Sequence, residues 1–134
     1  MSVKWVAPNP GNLLWCRYPE ATAGTLIPGP KPRPVLVVKV WDEDTPLRVQ
    51  VAYGTSQKVA SLYPGEFAVL PADNVLAEAG LIYPTKFDLS RLLTLPYEAP
   101  WFEAAPARPD PVMGQIPAAL KPRMTKAWLA RRAV

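Results

Sequence analysis

Short apolar runs separated by polar, proline-rich stretches dominate the pattern of this chain. Residues 13–18, 35–41, 47–53, 66–70 and 85–95 are rich in Val, Leu, Phe, Tyr and Trp. Short runs of β-branched and aromatic residues between turn signals are read as strands. The last run predicts a bend near Asp88-Leu89-Ser90. Residues 19–34, 42–46, 54–65 and 96–111 read as loops, because proline lacks a backbone donor and is kept out of helix interiors and central strands. Helix is the minority element. Asp73 is placed to cap a short helix through Ala79 that Gly80 ends. Residues 117–134 predict a second helix, with Thr125 as N-cap and Met124, Trp128 and Leu129 as its apolar stripe. Residues 99–111 carry four prolines and little periodicity. They predict an extended arm, pinned to the surface by Trp101 and Phe102. Short strands without alternating helices predict a mainly β barrel or sandwich rather than a βαβ fold.

Composition changes this picture in three ways. The 134 residues suffice for one domain with a hydrophobic core. Eighteen prolines account for the many loops. The apolar runs fall far short of the ~20 residues a membrane span needs, and Met1-Ser2-Val3-Lys4-Trp5 lacks the marks of a signal peptide. The sequence therefore predicts a cytoplasmic protein. The net charge of +4 is uneven. Lys121, Arg123, Lys126, Arg131 and Arg132 stand in a terminal segment without an acid, so the rest of the chain is nearly neutral. Such a segment either attracts an anionic partner or is a solvated helix face.

Two absences narrow the chemistry. The chain has no histidine, which excludes a His-based triad, a His general base and a His metal ligand. Its single cysteine, Cys16, excludes an internal disulfide and a Cys-rich zinc site, and its place in an apolar run predicts a buried, inert thiol. Neither a metal nor another cofactor is expected.

Three stretches carry candidate chemistry. In Lys31-Pro32-Arg33-Pro34 the flanking prolines restrict the backbone and hold Arg33 at the mouth of an apolar strand. A guanidinium held there suits a phosphate, although the same residue could be an ordinary loop arginine. In Tyr53-Gly54-Thr55-Ser56-Gln57 a strand runs into a glycine and hydroxyl side chains. That pattern could form an anion-binding concavity or a plain turn. Lys86 and Asp88 lie two apart and share one face of a regular strand. They could position or protonate a phosphate ester, or form a surface ion pair of small worth.

Taken together, these stretches resemble the MazF/PemK family of growth-inhibitor toxins. Gly11-Asn12-Leu13-Leu14-Trp15-Cys16 resembles the family's opening strand, and Pro32-Arg33-Pro34-Val35-Leu36-Val37-Val38 its arginine-proline start of the second. Val51-Ala52-Tyr53-Gly54-Thr55-Ser56-Gln57 resembles its strand ending in hydroxyls and a glutamine. Phe87-Asp88-Leu89-Ser90-Arg91-Leu92 resembles the late strand bearing a basic and an acidic residue. The resemblance covers residues 11–97.

It implies a small SH3-like β-barrel over residues 1–97. Residues 98–134 would then be a proline-rich extension with a short basic C-terminal helix, packed on the barrel or extending from it. It further implies a homodimer, a neutralising antitoxin protein and a metal-independent endoribonuclease acting on single-stranded RNA. By the same carry-over Arg33 stabilises the phosphorane and assists proton transfer, and Thr55 hydrogen-bonds the phosphate. Lys31, Ser56, Gln57, Lys86 and Asp88 line the substrate groove. Unpaired RNA suits such a groove because its bases can stack on aromatic rings, for which Tyr53 and Tyr83 are candidates. The competing expectation is a catalytically inactive binding module on the same barrel, acting as a gyrase poison or as a phage or host inhibitor.

Overall fold

The computed structural model describes residues 5–21 and 24–132. Each apolar run becomes a strand: β1 (Asn12–Cys16), β2 (Arg33–Trp41), β3 (Arg48–Thr55), β4 (Glu66–Val69) and β5 (Thr85–Pro96). A sixth strand, β6 (Val112–Gln115), follows the proline-rich arm, where the sequence pattern predicts none. The five residues between Pro111 and Pro117 are too few to show an alternation.

All six strands form one antiparallel sheet in the order β4-β5-β3-β2-β1-β6, which curls into a half-barrel. Bulges account for the curl, since an extra residue in one strand bends it and raises the local twist. The largest irregularity is in β5. Ala52 faces Leu92 while the next residue, Tyr53, faces Asp88, so Leu89, Ser90 and Arg91 have no partner in β3. The bend expected near Asp88 is this one. Smaller register shifts fall between Val37 and Lys39 of β2 and between Leu13 and Leu14 of β1.

Alternation along the strands divides the core in two. Leu13, Leu36, Ala52, Phe67, Phe87 and Leu89 lie in one cluster. Leu14, Cys16, Val35, Val37, Val49 and Val51 lie in the other. Burial on both faces is the reason Val35-Leu36-Val37-Val38 reads as an unbroken apolar run. The first cluster takes in α1 (Leu76–Ala79) and α2 (Lys121–Leu129) through Ala79 and Ala127, with Leu120 from the turn before α2. The second is completed by Tyr18, Tyr97 and Phe102. Residues beyond 97 are thus built into the core: Phe102 is fully buried and bridges to Cys16, and Ala105, Met113 and Ile116 are buried as well.

The helices depart from expectation at their starts. Asp73 accepts the Leu70 N–H at 2.8 Å and closes a 3-10 turn, Pro71–Asp73, rather than capping α1. Gly80 does end α1, in a left-handed conformation (φ 76°). Helix α2 begins at Lys121, directly after a 3-10 turn at Ala118–Leu120, so Thr125 is interior and not the N-cap. Pro122 sits in the first turn, where a missing N–H costs nothing. Leu120, Met124 and Trp128 face the core, whereas Leu129 is 79% exposed. The last two residues of the predicted helix, 133 and 134, lie outside the described residues. Among the described residues no helix is long and apolar enough to cross a membrane.

Candidate functional site

An open cleft of about 480 Å³ lies across one end of the sheet. Trp15 pairs with Pro34 and Cys16 with Arg33 across β1 and β2. Neighbours along a strand point to opposite faces. The cleft is lined by both Arg33 and Pro34, and by both Gly54 and Thr55, so it wraps over the strand ends from one face to the other. Gly54 makes this close approach of strands possible. A Cβ there would stand 2.2 Å from the Pro34 carbonyl oxygen and 2.8 Å from the Phe87 ring.

The loop before β2 is held in place from outside the cleft. Arg17 donates to the Pro30 carbonyl at 2.7 Å and to Glu103 at 2.8 Å, and the Gly29 N–H returns a bond to the Arg17 carbonyl at 2.9 Å. This tie fixes the path that delivers Lys31 and Arg33 to the cleft. Arg33 is half-buried and takes part in none of the ion pairs among the described residues. Thr55 Oγ1 accepts the Gln57 N–H at 3.1 Å. Because its oxygen is engaged as acceptor, the hydroxyl proton is left to donate. Ser56 also lines the cleft, and Gln57 lies just outside it, exposed.

Four of the residues singled out from the sequence, Lys31, Arg33, Thr55 and Ser56, therefore meet at one cleft. Lys86 and Asp88 do not line it. Lys86 Nζ donates to Glu66 Oε1 at 3.0 Å and to the Ser61 carbonyl at 2.9 Å, with both charged side chains under 10% exposed. Asp88 accepts from Arg132 at 2.6 Å through Oδ2 and caps the Ser90 N–H at 2.9 Å through Oδ1. The two share a face, as their spacing implies, but each is spent on a partner from elsewhere in the chain.

Of the aromatic candidates, Tyr83 lines the cleft and is 67% exposed. Tyr53 packs edge-on against Tyr18 with the Arg91 guanidinium 4.1 Å from its ring centre, away from the cleft lining. Burial pushes the neighbouring Tyr18 phenol up to about 12, against the opposing influence of Arg91. It stays protonated and donates to the Arg91 carbonyl at 3.2 Å. Burial likewise pushes the Cys16 thiol far up, which keeps it unreactive.

The structure adds Trp15 and Arg108 to the cleft. Arg108 comes from the extension, and its sequence signal was available: Arg108-Pro109 repeats the Arg33-Pro34 pairing of cation and proline. Among the described residues the lining thus holds three cations, Lys31, Arg33 and Arg108, and no carboxylate. A concave site lined by one sign of charge focuses potential and draws in ions of the other sign. The arrangement suits an anionic ligand with a planar group to lie against Tyr83 or Trp15. No protein-family model matches this chain, and no curated protein matches it.

Proposed function

We propose that this cleft binds single-stranded RNA and cleaves it, in the manner of the MazF/PemK toxins that the sequence resembles. One observation carries the reading: Arg33, free of any ion pair among the described residues, shares a carboxylate-free cleft with Lys31, Thr55 and Ser56. In the proposed reaction the ribose 2′-oxygen attacks the adjacent phosphorus. The O2′–P bond forms and the P–O5′ bond breaks, leaving a 2′,3′-cyclic phosphate and a 5′-hydroxyl. Solvent water takes the 2′ proton and supplies the proton that the departing 5′-oxygen gains. Negative charge accumulates on the non-bridging oxygens, where a planar, permanently charged guanidinium is most effective. Thr55 donates a hydrogen bond from its hydroxyl to one of those oxygens. The lining residues that carry this scheme are cations and hydroxyls, which supports chemistry that does not call on a metal.

The curled sheet is read on this proposal as an SH3-like barrel, acting in the cytoplasm as a homodimer and held in check by an antitoxin. A second reading has its own observation. Among the described residues the lining offers neither a carboxylate nor an imidazole to take the 2′ proton, which favours a module that binds through this cleft without cutting.

Incubating the protein with mixed-sequence RNA in EDTA, beside Arg33→Ala, separates the two. Discrete fragments ending in cyclic phosphate from the wild type, lost by at least 10²-fold in the variant as for removal of a principal oxyanion donor, support the nuclease. Intact RNA with a folded wild type, and RNA binding that weakens in Arg33→Ala, leaves the binding module.

A further inference from the structure

The proline-rich extension brings one cation to the cleft that the resemblance does not cover. Arg108 lines the same cleft as Arg33 but arrives from a different element, the turn closed by its own N–H to the Ala105 carbonyl at 2.9 Å. Prolines at 106 and 109 stiffen this turn. One guanidinium nitrogen, Nη2, donates to the Met113 carbonyl of β6 at 3.0 Å. That bond orients the group, and its remaining donors make no hydrogen bond among the described residues. Arg108 takes part in no ion pair among the described residues. The nearest acid in sequence, Asp110, is 8% exposed and turned to the Val112 N–H at 2.9 Å.

A fixed arginine beside two further cations, without a counter-charge, is repelled until an anion arrives. On the reading above, Arg33 and Lys31, two residues apart in one segment, serve the scissile phosphate. A second arginine, anchored on a separate element, fits a second phosphate of the same strand. We propose that Arg108 is a phosphate-contacting residue, and that the cleft takes a single strand across at least two consecutive phosphates rather than one nucleotide. This inference rests on the RNA reading given above.

Counting the phosphates tests it. Binding of a 12-nucleotide single strand with 2′-O-methyl riboses, which cannot be cleaved by 2′-attack, is measured from low to moderate salt. For single strands the slope of log K against log salt falls by about 0.7 for each phosphate contact removed. Arg108→Gln removes the charge but keeps an amide donor for the Met113 carbonyl, so the turn is preserved; a thermal melt verifies this. The expected slope loss is about 0.7 in Arg108→Gln, about 0.7 in Arg33→Ala, and about 1.4 when the two are combined. Arg108→Lys is expected to retain the wild-type slope. An unchanged slope in Arg108→Gln overturns the proposal while leaving the RNA reading intact. A combined variant that loses no more than either single one also overturns it, because both arginines then grip one phosphate. If the wild type itself fails to bind the strand, the RNA reading falls first and this inference with it.

Discussion

Lys86 shows how a side chain's neighbours across the sheet decide its role. It lies in β5 opposite Thr55, close in pairing to the candidate site, yet its ammonium is bound to Glu66 and to the Ser61 carbonyl. Both side chains of the pair are nearly buried. Deleting one partner of a buried pair strands the other charge and costs about 3–5 kcal/mol, whereas replacing both with apolar residues is often close to neutral. Lys86→Ala is therefore expected to lower stability by that amount in urea unfolding, and Lys86→Met combined with Glu66→Leu to recover most of it. A lysine that served only a ligand would weaken binding in Lys86→Ala with stability unchanged. The alternation of β5 was enough to place Lys86 and Asp88 on one face. Their partners were not legible, because Glu66 is 20 residues away and Arg132 is 44 residues from Asp88, and only the folded register brings them close. Arg33 and Thr55 were legible because strand ends are marked locally, by Pro34 in one case and by Gly54 in the other.

At the scale of elements, the strands were readable, and of the helix docking only the Met124 and Trp128 stripe of α2 was. Alternation and proline spacing locate β1 to β5, but α2 owes its position to a contact no periodicity reveals. Arg123 grips Asp73 with two nitrogens, at 2.9 and 3.0 Å, and also donates to the Ala68 carbonyl at 2.8 Å. This joins α2 to the end of β4 and to the turn that follows it. The Arg123 hydrogen bond, helped by the Leu70 N–H, holds the Asp73 carboxyl below the usual carboxylate range. In the unfolded chain the same group titrates near 3.9. Just below that value the unfolded state binds more protons than the folded one, so stability rises with pH there. The contribution is complete above about pH 4 and is lost on acidification through the folded-state value. Because Arg123 is 41% exposed, solvent limits the effect to about 1 kcal/mol or less. Arg123→Gln is expected to unfold at lower temperature than wild type near pH 6, with the gap closing as the pH is lowered toward 2. A gap that stays constant over that range would show that the ion pair adds nothing.

For the molecule as a whole, the question is whether residues 98–134 form an appendage or part of the fold's foundation. The terminal positive charge reads in the sequence as a lure for an anionic partner or a solvated helix face, and two of its cations, Arg123 and Arg132, are paired with Asp73 and Asp88. The same segment supplies β6 and buries Phe102, Met113, Ile116 and Leu120 in both core clusters. Burying a large apolar side chain is worth roughly 1.5–3 kcal/mol, so these four alone rival the ~5–15 kcal/mol net stability of a typical domain. Their loss would remove Met113, Ile116 and Leu120 from the cluster that holds Leu13 and Leu36, and Phe102 from the one that holds Cys16. A fragment of residues 1–97 is accordingly expected to stay unfolded by far-ultraviolet circular dichroism. The full chain is expected to unfold in one transition, with dichroism and tryptophan fluorescence coinciding, since Trp15 lies at the cleft and Trp128 on α2. A stable 1–97 fragment, or a fluorescence change that precedes the loss of sheet signal, would support the division into barrel and tail. Cooperative unfolding would instead mean that removing the tail to test its charge removes the fold as well, so that its cations can be judged only one substitution at a time.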